Sequence, residues 1–80
     1  MMMLHPRALQ RRLAEAGRTF EVMVDDIRRE LATTLLAQPD VPLSAVAQQL
    51  GYSEQSALTR SCRRWFGTPP RKKRLELGPA

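Results

Sequence analysis

The chain has 80 residues, 42% of them hydrophobic and 26% charged, with a net charge of +5; that length allows one domain with a small core and modest stability. Its single Cys excludes an internal disulfide and fits a reducing cytosol. No apolar run approaches the roughly 18 residues of a membrane span, and the opening "MMMLHPR" holds too short an apolar run for a signal peptide.

Only 4 Gly and few β-branched runs argue for helices throughout. Pro6 suits a first helical position. Leu9 and Leu13 repeat four apart, and Gly17 reads as a stop just past a helix end. The first predicted helix is therefore 6–16, with Arg7, Gln10 and Arg11 pointing away from the leucines. Thr19 suits an N-cap. Behind it Phe20, Val24, Ile27, Leu31 and Leu35 alternate spacings of four and three, which predicts an amphipathic helix over 20–37 that Pro39 ends. At 1.5 Å per residue that helix is a rod of about 27 Å. Its apolar stripe is too short for three or four heptads, so internal packing is expected rather than a dimerising coiled coil.

A new period begins with Leu43, Val46, Ala47 and Leu50. Gly51 can take positive φ for a turn, and Ser53 is the expected N-cap of the following helix, with Glu54 favourable in its first turn. That helix should bury Leu58, Cys62 and Trp65 and stop at Gly67, before a short C-terminal helix over 70–77. Residues 43–66 thus read as helix, Gly-containing turn, helix. Ala47, four before Gly51, lets the two helices pack closely. This is helix-turn-helix logic. The second helix of such a unit lies in the DNA major groove with its first residues at the base edges. Gln55, Ser56, Thr59 and Arg60 occupy that stretch on the polar face, and their chemistry suits base edges: Arg for guanine, Gln for adenine, Thr for a base or a thymine methyl.

Charge supports the same direction. Residues 1–19 hold four Arg and one Glu, 4 − 1 = +3; residues 20–40 hold two Arg against five acids, 2 − 5 = −3; residues 41–80 hold seven Lys or Arg against two Glu, 7 − 2 = +5. Two basic blocks around an acidic middle suggest two contacts with a polyanion. A membrane-surface peptide would be basic along one whole face.

The run "VAQQLGYSEQSALTRSCRRWFGTPPRKKR" resembles the second helix-turn-helix of AraC/XylS-type bacterial transcription regulators, through Ala47, Gly51, Tyr52, Ser53, Leu58, Arg60, Arg64, Trp65, Gly67 and Pro70. The upstream "PRALQRRLAEAGRTFEVMVDDIRRELATTLL" is similar to that family's first recognition helix and its long linker helix. The resemblance implies an all-α, homeodomain-like bundle in one domain. It would hold one complete helix-turn-helix unit and the recognition helix of an N-terminally truncated first unit, joined by the linker. Both recognition helices would enter successive major-groove segments. By position, the first would read bases with Arg7, Gln10 and Arg11. Arg63, Arg64, Arg71, Lys72, Lys73 and Arg74 would hold phosphates, which set affinity and register. The chain departs from the family pattern at His5, where a capping Ser is expected, at Cys62, where a bulky aromatic is common, and at Lys73, where Tyr is common.

The expected function is sequence-specific binding of double-stranded promoter or operator DNA in the bacterial cytoplasm, at the nucleoid. RNA polymerase or a full-length relative is a further candidate partner. The alternative is a truncated remnant that binds no specific DNA and serves as a protein-interaction module. No cofactor is expected. His5 has no second His and only a distant Cys, so no metal site is expected either. The sequence offers no Ser-His-Asp set, no Gly-rich phosphate loop and no carboxylate pair beside a suitable acid, so no enzyme is expected.

Overall fold

A computed structural model describes residues 6–78. Four helices and no strand are found among them: α1 (Pro6–Leu36), α2 (Leu43–Gln49), α3 (Gln55–Phe66) and α4 (Pro70–Leu77). The molecule is long and thin, 60 × 21 × 18 Å. One end is a packed unit and the other is a bare helix.

The predicted break near Gly17 is absent: α1 is one helix of 31 residues. Gly17 does not take positive φ, and a Cβ built there meets nothing within 4 Å. A single interior Gly costs a helix only about 1 kcal/mol, and no other element packs here to force a turn. Thr19 caps nothing. It sits inside the helix and its Oγ1 donates to the Glu15 carbonyl at 3.0 Å, the usual way for a mid-helix Thr to satisfy its hydroxyl. The cap expected at His5 lies outside the described residues.

The core gathers Ala32, Leu35 and Leu36 from α1, Val46, Ala47 and Leu50 around α2, and Leu58 and Cys62 from α3. Tyr52, Trp65, Phe66 and Leu77 pack on its margin. Only the last two turns of α1 therefore enter it. The expectation of internal packing for the whole 20–35 stripe is corrected: Leu35 is buried and Val24 half-buried, while Phe20, Ile27 and Leu31 are exposed. The face of α1 that turns inward carries Asp25, Arg28, Ala32 and Leu36 instead. Three small or polar residues there let α2 and α3 approach closely. Trp65, expected inside, is half-buried.

α4 starts with Pro70 in its first turn, where a missing N–H is harmless. It is fixed to α1 by Arg74. The guanidinium donates from Nε to the Leu36 carbonyl at 3.0 Å and from Nη2 to the Val41 carbonyl at 2.7 Å. These are the orphan acceptors that a helix C-terminus and its exit loop leave behind.

Candidate nucleic-acid interface

The α2–α3 turn is built from its backbone outward. Gly51 N–H donates to the Gln48 carbonyl and Tyr52 N–H reaches back to the Ala47 carbonyl, both at 3.0 Å. This pair of bonds is a Schellman motif, which needs a left-handed residue between them. Gly51 supplies it with φ 87°. Arg28 of α1 braces the turn from outside. Its Nε donates to the Leu50 carbonyl at 2.9 Å, and its guanidinium carbon stands 4.9 Å from the Tyr52 ring centre. The Tyr52 hydroxyl then hydrogen-bonds Ser61 Oγ at 2.7 Å, tying the turn to the middle of α3. Neither Arg28 nor Ser61 was singled out in the sequence, since their partners lie 22 and 9 residues away.

α3 begins one residue later than a Ser53 cap requires. Glu54 occupies the cap position in extended backbone and makes no side-chain cap bond. Ser53 stands too early to reach the first free N–H groups. Ser56 Oγ instead donates to the Glu54 carboxylate at 3.0 Å.

A second brace joins α3 to α1. Arg64 grips Asp25 with both nitrogens, Nη1 to Oδ2 at 3.0 Å and Nη2 to Oδ1 at 2.8 Å, and Trp65 Nε1 donates to the same Oδ2 at 3.0 Å. The hydrogen bonds from Arg64, seconded by the Trp65 N–H and the nearby positive charges, hold the Asp25 carboxyl below the usual carboxylate range against the opposing effect of burial. The Trp65 ring also lies under Arg64, 5.5 Å from its guanidinium carbon.

With Leu58, Ser61 and Cys62 turned inward, the outer side of α3 carries Ser56, Arg60 and Arg63, with Gln55 and the half-buried Thr59 at its edge. Arg60 and Arg63 make no hydrogen bond or ion pair among the described residues. Arg71 and Lys72 are exposed at the start of α4. The other three residues expected on phosphates are engaged within the fold. Arg64 is held by Asp25, Arg74 by backbone carbonyls, and Lys73 Nζ lies 4.7 Å above the Phe66 ring. Arg7, Gln10 and Arg11 sit far along α1. Each stands 18 residues before Asp25, Arg28 and Arg29 respectively, which is five helical turns and about 27 Å. They thus share the side of α1 on which α3 packs. No group of three or more metal-ligating side chains forms among the described residues.

Comparison with known proteins agrees with this architecture. A family described as a helix-turn-helix domain matches residues 1–76. The chain is 56% identical over 75 residues to the HTH-type transcriptional regulator VirS of Mycobacterium tuberculosis, an alignment covering 94% of this chain and 22% of VirS. The chain belongs to the AraC/XylS-type helix-turn-helix family.

Other relatives share less of the sequence. The HTH-type transcriptional regulator VqsM of Pseudomonas aeruginosa is 38% identical over 64 residues, 80% of this chain and 20% of VqsM. The ornithine utilization regulator of the same organism is 36% identical over 64 residues, 80% of this chain and 19% of that protein. The chain therefore spans about a fifth of the length of the curated relatives it matches. No solved structure matches it. The AraC-type family consists of DNA-binding transcription regulators that are not enzymes. No helix among the described residues is long and apolar enough to cross a membrane.

Proposed function

We propose that this AraC-type chain binds double-stranded DNA sequence-specifically, with α3 in the major groove at a bacterial promoter or operator. Gln55, Ser56, Thr59 and Arg60 face base edges. Arg63, Arg71 and Lys72 hold phosphates on either side. Arg7, Gln10 and Arg11 make a second, distal contact on the same side of the duplex. Arg64, Lys73 and Arg74 leave the phosphate set, because each already serves a contact inside the fold.

One observation carries the reading. The outer face of α3 presents Arg60 and Arg63 without a side-chain partner among the described residues, while the neighbouring arginines Arg64 and Arg74 are tied down. A helix whose structural needs are met by other residues keeps these two for an external anion or base edge. Arg can pair with guanine O6 and N7 in a bidentate way, and a phosphate contact adds affinity without sequence preference.

The test begins by selecting a preferred duplex from a random pool, then measures binding of variants to it and to a scrambled duplex by fluorescence anisotropy. Arg60→Ala should lose about 1–3 kcal/mol on the preferred duplex and little on the scrambled one, whereas Lys72→Ala should weaken both alike. Equal losses on both duplexes for Arg60→Ala would overturn the base-reading role. A pool that yields no preferred duplex would overturn specific binding altogether.

A further inference from the structure

α1 carries a second pattern on the side away from the core. Leu9, Leu13, Ala16, Phe20, Met23 and Ile27 follow one another at spacings of four, three, four, three and four. That is the spacing of a two-stranded coiled-coil seam, carried over residues 9–27 and so too short to hold by its apolar row alone without help from its flanking charges. The large members are bare: Leu9 is 45% exposed, Leu13 64%, Phe20 67%, Met23 56% and Ile27 60%. The seam lies about 160° around the helix from the inward face of Asp25, Ala32 and Leu36. None of α2, α3 and α4 covers it.

The seam is symmetric about Arg18. Leu9 and Ile27 stand nine residues to either side, Leu13 and Met23 five, Ala16 and Phe20 two. A copy of α1 turned end for end therefore presents the same row in the same register. The charges favour that orientation. Residues 6–19 hold Arg7, Arg11, Arg12 and Arg18 against Glu15, 4 − 1 = +3; residues 20–31 hold Arg28 and Arg29 against Glu21, Asp25, Asp26 and Glu30, 2 − 4 = −2. Parallel helices would set like charge on like charge, whereas antiparallel helices set the basic half on the acidic half. In the register of the seam, Arg12 and Asp26 fall on one flank and meet at both ends. Gly17 falls on the other flank near the centre, where the absent side chain allows close approach.

We propose that α1 is the interface of an antiparallel homodimer, its seam closed by a second copy of this chain. Leu13 packs against the partner subunit's Met23, Ile27 against the partner subunit's Leu9, and Arg12 pairs with the partner subunit's Asp26. The intrahelical contact of Asp26 with Arg29, at 3.7 Å and exposed, is weak enough to be exchanged. Arg7, Gln10 and Arg11 lie on the opposite side of α1, so the dimer leaves them accessible.

Light scattering or sedimentation gives the mass of the purified chain. At about 100 µM, a concentration that fills a dimer with a micromolar dissociation constant, the mass should be twice 9.1 kDa. Phe20→Glu should give a monomer with an unchanged core melting transition, because Phe20 lies outside the core. Arg12→Asp and Asp26→Arg should each weaken the dimer about fivefold or more by setting like charges together, and the double variant should restore it. A monomeric parent chain would overturn the proposal and indicate a different occupant for the seam. A dimer indifferent to Phe20→Glu would place the interface elsewhere. A double variant no better than the single ones would exclude the antiparallel register.

Discussion

Arg74 of α4 reaches back 38 residues to the Leu36 carbonyl, and so adds a side-chain closure to the backbone turn that Gln38 N–H makes to the Leu35 carbonyl at the end of α1. A guanidinium bonded to a carbonyl at a helix C-terminus and to another in the exit loop serves both geometry and charge, since the negative end of the helix dipole lies there. Arg74→Ala should destabilise the packed unit by about 1–3 kcal/mol, the range for losing hydrogen bonds made by a charged group. Arg74→Lys should recover only part of that, because an ammonium cannot span the Leu36 and Val41 carbonyls in one plane. Chemical denaturation of the three proteins checks both statements.

The Asp25 brace sets an acid limit. Its carboxyl titrates below the usual range in the folded chain, first because of the hydrogen bonds from Arg64. Such a group contributes stability above its unfolded pKa of about 3.9, and that contribution is lost as the pH falls through the lower folded value. The melting temperature should hold steady from pH 7 to about pH 5 and then fall. In Asp25→Asn that part of the fall should be missing. At neutral pH the variant should be less stable by about 1 kcal/mol or less, since the pair is substantially exposed. Melting curves of both proteins across pH 3–7 decide it, and parallel curves would exclude Asp25 as the cause.

Gly17 distinguishes a continuous helix from a jointed one. In a helix interior with free space around it in the single chain, Gly17→Ala should stabilise α1 of the monomer by about 0.5–1 kcal/mol, measured in a Phe20→Glu background so that no helix-helix contact enters. The gain should appear as stronger helical circular dichroism. At a left-handed turn the same change would be unfavourable, and helicity would drop.

Cys62 should be chemically quiet. Its thiol is buried, and burial raises its pKa to about 11. Almost no thiolate exists at neutral pH, and thiolate is the reactive form. Labelling by a thiol reagent at pH 7.5 should follow unfolding, being slow in buffer and fast in denaturant. Rapid labelling of the native chain would mean that Cys62 is not enclosed by Leu58 and Val46.

The helix-turn-helix bundle was legible because its signals are local. Val46, Ala47, Leu50, Leu58 and Cys62 repeat with helical period, and Gly51 punctuates them; all five are buried and Gly51 takes positive φ. What stayed hidden depends on distant partners. The stripe from Phe20 to Leu35 looks like a core face by period alone, yet Ala32 and Leu36 on another side won the packing, since close approach favours small residues beside Arg28 and Asp25. Likewise nothing local separates Arg64 and Arg74, which hold Asp25 and Leu36, from Arg63 and Arg71, which face solvent. Gly17 misled for a related reason. It signals a stop only where tertiary packing demands a turn, and the structure offers no such packing there.

The unbroken course of α1 couples length to rotation. Because no joint interrupts it, the direction of Arg7 and Arg11 is geared to the position of α3 through every residue between. Inserting one residue after Gly17 would move these arginines by only about 1.5 Å but swing them about 100° around the shaft. They would then point away from the side that carries α3. Inserting seven would carry them about 10 Å further out and return them to within about 20° of their original bearing. For this stretch of chain, tolerance to insertion should therefore follow the helical period and not the number of residues added, as it does for parts mounted on a common axle.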